Sequence, residues 1–202
     1  MKIFIEGIGL LGPGLAGWNA SIPMLMNTDT YIYSPTIIPS PEMLPPAERR
    51  RVGAPVKVAL AVGKEAFTNA DRDMSLAATV LTSSGGDGDN VHAICETLAT
   101  SEREVSPTRF HNSVHNAAAG YWGIAAKSHE ASTSLCCYDA SFAAGLLETA
   151  AQLQAETIDF FRNRRERLSV GPNRNGETGV YIEVNEDFEY RIGPNQTRTV
   201  SF

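Results

Sequence analysis

The stretch that decides the fold reads Ser132-Thr133-Ser134-Leu135-Cys136-Cys137-Tyr138-Asp139-Ala140-Ser141-Phe142-Ala143-Ala144-Gly145. Its first part, from Thr133 to Tyr138, has no clear alternation of polar and apolar residues, which indicates a strand buried on both faces. The second part begins a predicted helix that runs from Phe142 to about Phe161. The sequence therefore predicts a sharp turn from a buried strand into a helix that starts with small residues.

The turn carries the most informative side chains of the sequence. Such an elbow presents one residue at a helix N-terminus, where the positive end of the helix dipole stabilises a thiolate or an alkoxide. That residue is Asp139, with Cys137, Ala140 and Ser141 as its neighbours. A carboxylate is a poor acyl-transfer nucleophile, so we expect Asp139 to cap the helix. We expect Cys136 and Cys137, within the strand, to be buried and inert thiols.

The elements around this turn predict an α/β fold, because strands and helices alternate along the chain. The short apolar run 77–82 is also predicted to be a strand buried on both faces, like the strand at 133–138. It ends in the glycine-rich segment 83–90. The remaining predictions are a strand at 2–8, a proline-rich loop at 27–47, helices at 54–70, 91–99 (capped by Asp89 or Asn90) and 112–127, a linker at 106–110, and a strand at 180–184 whose hairpin partner is 188–192.

Composition excludes several classes of function. The net charge of −6 and the pI near 5.2 argue against a nucleic-acid-binding protein, which usually has a basic excess. No stretch reaches the roughly 18 apolar residues of a membrane span. The three cysteines are odd in number and lack the spacing of a disulfide framework, so we expect a cytoplasmic protein.

Other motifs are too weak to assign a cofactor or a metal. The segment Gly7–Gly12 fits G-x-G-x-x-G after a strand, but a proline-rich stretch follows it instead of a clean helix. The segment 83–90 has the glycines of an anion-binding loop, yet it lacks a lysine and carries aspartates. His111 and His115 lie four residues apart without a third ligand. We expect no cofactor and no metal.

Two clusters of basic residues have two interpretations. They lie at Arg49, Arg50 and Arg51, and at Arg162, Arg164 and Arg165. They are either solvated surface charges or a docking patch for an acidic partner.

The segments quoted above carry a resemblance to the ketoacyl synthases. The run 106–122 resembles the helix of those enzymes that ends in Asn-x-x-Ala-Gly, here Asn116 to Gly120. The strand and elbow at 132–141 look like those that carry the active-site cysteine of the family. In that alignment Asp139 takes the position of the nucleophile. About residues 1–155 resemble the N-terminal domain found in subunits of the chain-length-factor type.

The resemblance implies a thiolase-like half fold, with a mixed, mostly parallel sheet covered by helices. We expect a ketoacyl-synthase-like domain at 1–160 and a divergent tail at 161–202. The resemblance also implies that this protein works beside a catalytic ketoacyl synthase, on acyl chains held by acyl carrier protein. The family's catalytic histidines have no counterpart among the four histidines here, so we expect no catalysis by this chain alone.

Three functions follow as hypotheses. The first is a non-catalytic, chain-length-factor-like subunit in a fatty acid or aryl polyene pathway. The second is a stand-alone acyltransferase that uses Cys137, Ser141 or Asp139. The third is a scaffold that binds acyl carrier protein through the arginine clusters, since carrier proteins are acidic and basic patches steer such encounters.

Overall fold

The computed structural model describes residues 2–163, 180–184, 188–191 and 197–200, and the side chains of residues 3–154. The strands are β1 (Lys2–Ile5), β2 (Leu11–Gly12), β3 (Leu15–Ala16), β4 (Thr79–Thr82), β5 (Ser132–Leu135), β6 (Val180–Val184), β7 (Phe188–Arg191) and β8 (Thr197–Val200). The helices are α1 (Trp18–Leu25), α2 (Pro46–Arg49), α3 (Ala54–Ala70), α4 (Gly88–Leu98), α5 (Pro107–Asn112), α6 (Ala117–Ala126) and α7 (Ser141–Asn163).

The centre of the fold is a parallel pair of strands, β4 and β5, with helices on both faces. Thr82 pairs with Leu135 at the carboxyl ends of the two strands. Leu81 packs against the buried core, whereas Thr82 contacts α7 at Gly145. Because side chains alternate along a strand, α7 lies on the opposite face from the core. The predicted α/β class is confirmed.

The core lies between α3 and α6 and is closed by the segment around Leu44. Its buried apolar residues are Leu44, Val52, Val56, Leu60, Tyr121, Trp122 and Ala126. The two helices approach closely at Gly63, where an added Cβ would lie 2.3 Å from Cζ3 of Trp122. The ring of Phe67 lies 5.6 Å from that of Trp122, at 39°. The apolar spacing at 54–70 thus predicted the helix, whose buried residues are Val56 and Leu60.

The N-terminal glycines pack the chain against α3. A Cβ on Gly7 would lie 2.1 Å from the carbonyl oxygen of Ala66, and one on Gly9 would lie 2.0 Å from that of Val62. The Glu65 carboxylate accepts the backbone N–H groups of Leu10 (2.9 Å) and Trp18 (2.6 Å). These glycines therefore have a packing role, and the short β2–β3 hairpin follows them.

The parallel strands are less buried than the sequence predicted. The residues of β4 and β5 are half-buried, and Thr82 and Ser132 are exposed.

Across the described ranges β4 and β5 form a two-stranded sheet, so each keeps an open edge. Strands β1, β6, β7 and β8 form a separate antiparallel sheet in the order β1-β6-β7-β8. The predicted strand at 180–184 is β6, which pairs antiparallel with β7. The division of the chain near residue 160 stays a prediction.

Two helix boundaries differ from the sequence prediction. The helix expected at 112–127 begins only at Ala117, as α6, and most of the expected linker is the separate helix α5, because Pro107 suits the first turn of a helix. Asn112 ends α5 with its amide Nδ2 donating to the carbonyl of Arg51 (2.6 Å). Helix α4 begins at Gly88, and its N-cap is Asp87, whose carboxylate accepts the N–H of Asn90 (3.2 Å).

Candidate functional site

The candidate site lies where β4 and β5 end. In open α/β sheets, ligands bind outside the carboxyl ends of parallel strands. A cavity of about 790 Å³ lies at this position. Its wall comes from the first turns of α3, the loop after β4, the start of α4, residues 112–118 and Cys136.

Both apolar and polar residues line the cavity. Val58, Leu81, Val114 and Ala118 are among the apolar residues that line it. The polar lining includes Asp87, Asp89 and His115, and no lysine or arginine belongs to the described lining. The cavity therefore suits an uncharged apolar group better than a phosphate.

The elbow between β5 and α7 forms the edge of this region. Tyr138 has φ of +52°, a left-handed conformation that is uncommon outside glycine and costs of the order of 1 kcal/mol or more. A 3-10 turn at Tyr138–Ala140 precedes α7. The buried hydroxyl of Ser141 accepts the N–H of Cys137 (3.0 Å) and donates to the carbonyl of Tyr138 (2.7 Å). Ser141 thus holds the elbow in shape.

Residues 28–159 match the family model described as beta-ketoacyl synthase, N-terminal domain. The chain belongs to this family. A solved structure of the ketosynthase ApeO in complex with its chain length factor ApeC, from Xenorhabdus doucetiae, is similar at 25% sequence identity with a TM-score of 0.61. The match covers 76% of this chain and 62% of that chain. A comparison with curated proteins gives no match.

Asp139 does not cap the helix of this ketoacyl-synthase domain, contrary to the prediction. Helix α7 starts two residues later, at Ser141, because the 3-10 turn comes between them. The side chain of Asp139 is exposed, and its carboxylate makes no hydrogen bond with the part of the chain that the structure describes. Asp139, Cys137, Ala140 and Ser141 do lie together at the elbow. That Asp139 replaces the nucleophile stays a prediction.

The prediction of buried cysteines is wrong. Strand β5 ends at Leu135, so Cys136 and Cys137 follow it in the turn, and both are exposed. The thiol of Cys136 points across the cavity edge to the carbonyl of Ser84, at 3.7 Å. Cys95, on α4, is also exposed and free.

The histidines do not converge on a metal. His111 packs edge-on against Tyr121 with ring centroids 5.7 Å apart, and His115 lines the cavity. His92 contacts Glu96 at 3.4 Å on the exposed face of α4. No group of three or more histidine, cysteine or acidic side chains suited to a metal occurs within the residues the structure covers. Burial raises the pKa of the Tyr121 hydroxyl, with the Glu48 carboxylate adding to the effect.

The first arginine cluster is largely committed to its own surroundings. Arg49 donates to the carbonyls of Leu44 and Glu42, both at 3.0 Å. Arg51 pairs with Glu48 at 3.3 Å. Among these three arginines, only Arg50 has a guanidinium that makes no hydrogen bond to the residues that the structure describes. The side chains of Arg162, Arg164 and Arg165 lie outside the described residues.

Sequence reasoning missed the cavity and the surface next to it. Helix α7 turns Ser141 and Gly145 toward β4, and its outer side in the first two turns carries Phe142, Ala143, Leu146 and Leu147, all exposed. With Tyr138 these residues form what we call the α7 apolar face. Tyr138 and Phe142 are each 75% exposed, and Leu147 is 72% exposed. The helical spacing of 142, 146 and 147 was the available signal, but it does not say which face of a helix is covered.

In the described part of the chain no helix is long and apolar enough to cross a membrane.

Proposed function

We propose that this ketoacyl-synthase domain is a non-catalytic, chain-length-factor-like subunit that pairs with a catalytic ketosynthase. The observation that carries the proposal is the α7 apolar face, an exposed surface of large apolar side chains beside the elbow. Soluble proteins rarely leave such patches uncovered unless a partner binds there. The similar ApeO–ApeC structure supports the kind of partner, since it pairs a ketosynthase with its chain length factor.

The elbow supports a role without catalysis. We propose that Asp139 takes the position of the family's nucleophile, and a carboxylate is a poor acyl-transfer nucleophile. Its side chain is exposed and makes no hydrogen bond with the described residues, so no neighbouring group holds it in place for attack. In the proposed complex the partner supplies the chemistry.

The cavity gives the proposed subunit a way to act on the acyl chain. Its apolar lining residues suit a hydrocarbon chain, and Asp87 and Asp89 in the lining disfavour the phosphate of a carrier. We propose that the domain helps to shape the tunnel for the growing chain, in a fatty acid or aryl polyene pathway. Acyl carrier protein would then dock mainly on the partner, because two of the three arginines at 49–51 are bonded within this chain.

Co-expression of the chain with the catalytic ketosynthase of the same host, followed by sizing of the purified material, tests the proposal. We expect a complex containing both chains, and condensation of acyl thioesters by the complex and not by this chain alone. A chain that elutes by itself at micromolar concentration would contradict the proposal. Carrier-protein binding that weakens steeply with salt would instead favour docking by exposed arginines.

The exposed thiols favour a second candidate, a stand-alone acyltransferase. Cys137 and Ser141 lie at the elbow, and Cys137 is accessible to solvent. This candidate predicts a covalent adduct after incubation with an acyl thioester, abolished by Cys137→Ser or Ser141→Ala. Mass spectrometry of the intact chain decides the matter, because an unchanged mass excludes the acyltransferase.

A further inference from the structure

The three free cysteines of the chain occupy two different settings. Cys95 lies alone on α4, whereas Cys136 and Cys137 are neighbours in the turn between β5 and α7. Both neighbouring thiols are exposed, so both are accessible to small oxidants. The chain thus carries one isolated thiol and one thiol pair.

The pair sits in a turn whose shape is set by few contacts. The Cys136 thiol has one weak hydrogen bond, to the carbonyl of Ser84 at 3.7 Å. The backbone N–H of Cys137 donates to the Ser141 hydroxyl, and the next residue, Tyr138, has a positive φ. Neither thiol is fixed by surrounding core atoms, so each has room to change its torsion angles.

We propose that Cys136 and Cys137 form a redox-modified site that hydroperoxides oxidise to a disulfide between the two neighbours. One thiolate attacks an oxygen of the peroxide and the O–O bond breaks. That oxygen stays on the sulfur as a sulfenic acid, and the other oxygen takes up a proton and leaves as water or an alcohol. The second thiol attacks the sulfenic sulfur, the S–S bond forms, and a water molecule leaves. In all, the two thiols lose two protons and two electrons, and the peroxide takes them up.

The structure indicates what oxidation changes. Neighbouring Cα atoms lie about 3.8 Å apart, whereas ordinary disulfides join Cα atoms about 4.4 to 6.8 Å apart. The ring is therefore strained and readily opened by a dithiol reductant. Its closure draws the Cys136 sulfur away from Ser84, at the cavity edge, and turns the backbone next to Tyr138. Oxidation would thus alter the elbow and one wall of the cavity.

Peptide mass spectrometry tests the proposal on the full chain. Hydrogen peroxide treatment is followed by alkylation of remaining thiols and digestion with trypsin. Cleavage after Arg72, Arg103, Lys127 and Arg162 puts Cys95 and the pair on different peptides, so Cys95 serves as an internal control. Cys136→Ser and Cys137→Ser each leave one thiol of the pair.

We expect the wild-type peptide with the pair to lose two hydrogens and to recover both thiols on treatment with dithiothreitol. Under the same conditions the peptide with Cys95 should remain alkylated or gain oxygen. In each single variant the remaining thiol of the pair should gain oxygen instead of losing hydrogen. A pair that only gains oxygen, or that forms disulfides only between chains, overturns the proposal.

Discussion

The two faces of the β4–β5 pair differ in how completely the chain covers them. On one face, α3 and α6 pack with Gly63 against Trp122 and leave Leu60 only 2% exposed. On the other face, α7 covers the strands closely at Gly145 but turns Phe142 and Leu147 to solvent. The first face is thus buried by packing within the chain itself. On the second face, no described part of the chain covers the outer side of α7 at Phe142 and Leu147, which is why we assign the partner to it.

The largest expected difference between the two faces comes from removing leucine side chains. We predict that Leu60→Ala lowers the free energy of unfolding by about 2–5 kcal/mol, because it leaves a cavity in the core. Leu147→Ala, at the α7 apolar face, should change it by no more than about 0.5 kcal/mol. Urea unfolding followed by circular dichroism measures both. Similar losses in the two variants would contradict the comparison.

The close approach of α3 to α6 gives the next prediction. Gly63→Ala places a Cβ 2.3 Å from the Trp122 ring, and we expect overpacking to lower the unfolding free energy by about 1–3 kcal/mol. Gly120→Ala, in α6, is the matched control, since nothing lies within 4 Å of its added Cβ. That control should raise stability by about 0.4–1 kcal/mol by reducing the freedom of the unfolded chain. Equal effects of the two changes would show that the approach at Trp122 is not tight.

The approach of α7 to β4 should be more tolerant. Gly145→Ala brings a Cβ to 2.6 Å from the Cγ2 methyl of Thr82, and we expect a loss of about 1 kcal/mol because this exposed side chain can rotate away. Adding Thr82→Ser removes that methyl group. The double variant should therefore recover most of the stability in thermal unfolding, and a double variant as unstable as Gly145→Ala would place the strain elsewhere.

The smallest expected effect concerns an ion pair at the molecular surface. The Arg72 guanidinium donates to the Glu6 carboxylate at 2.6 and 2.7 Å and lowers the pKa of Glu6. A lowered pKa in the folded state adds stability above the unfolded pKa, and this stability is lost as the pH falls through the folded pKa. Both side chains are about half exposed, so screening keeps the effect small. Glu6→Gln should reduce stability slightly at pH 7 and not in strong acid, as measured by unfolding at both pH values.

The sequence predicted those elements whose signal is local. The apolar spacing of α3 and the small residues at the start of α7 gave both helices nearly to their ends. The separate helix α5 and the later start of α6 were missed because Asn112, at the end of α5, donates to the carbonyl of Arg51, a residue distant in the sequence. The cysteines were misjudged because β5 ends at Leu135, and a strand end inside a run of strand-forming residues has no local marker.

The candidate site was only half predictable for the same reason. The elbow is contiguous in sequence, so Cys137, Asp139, Ala140 and Ser141 were identified together. The residue with the positive φ is nevertheless Tyr138, whose carbonyl accepts the Ser141 hydroxyl, and nothing in its own side chain predicts that conformation. The cavity wall combines α3, the loop after β4 and Cys136, which only the fold brings together.

Binding to the catalytic ketosynthase of the same host tests the central claim most directly. The dissociation constant would be measured by calorimetry for the wild type, for Phe142→Ser combined with Leu147→Ser, and for the control Leu98→Ser on the exposed side of α4. We predict that the double change weakens binding at least about tenfold, equivalent to about 1.4 kcal/mol, while the control binds like the wild type. Equal affinities for all three, or no binding by the wild type, would contradict the account.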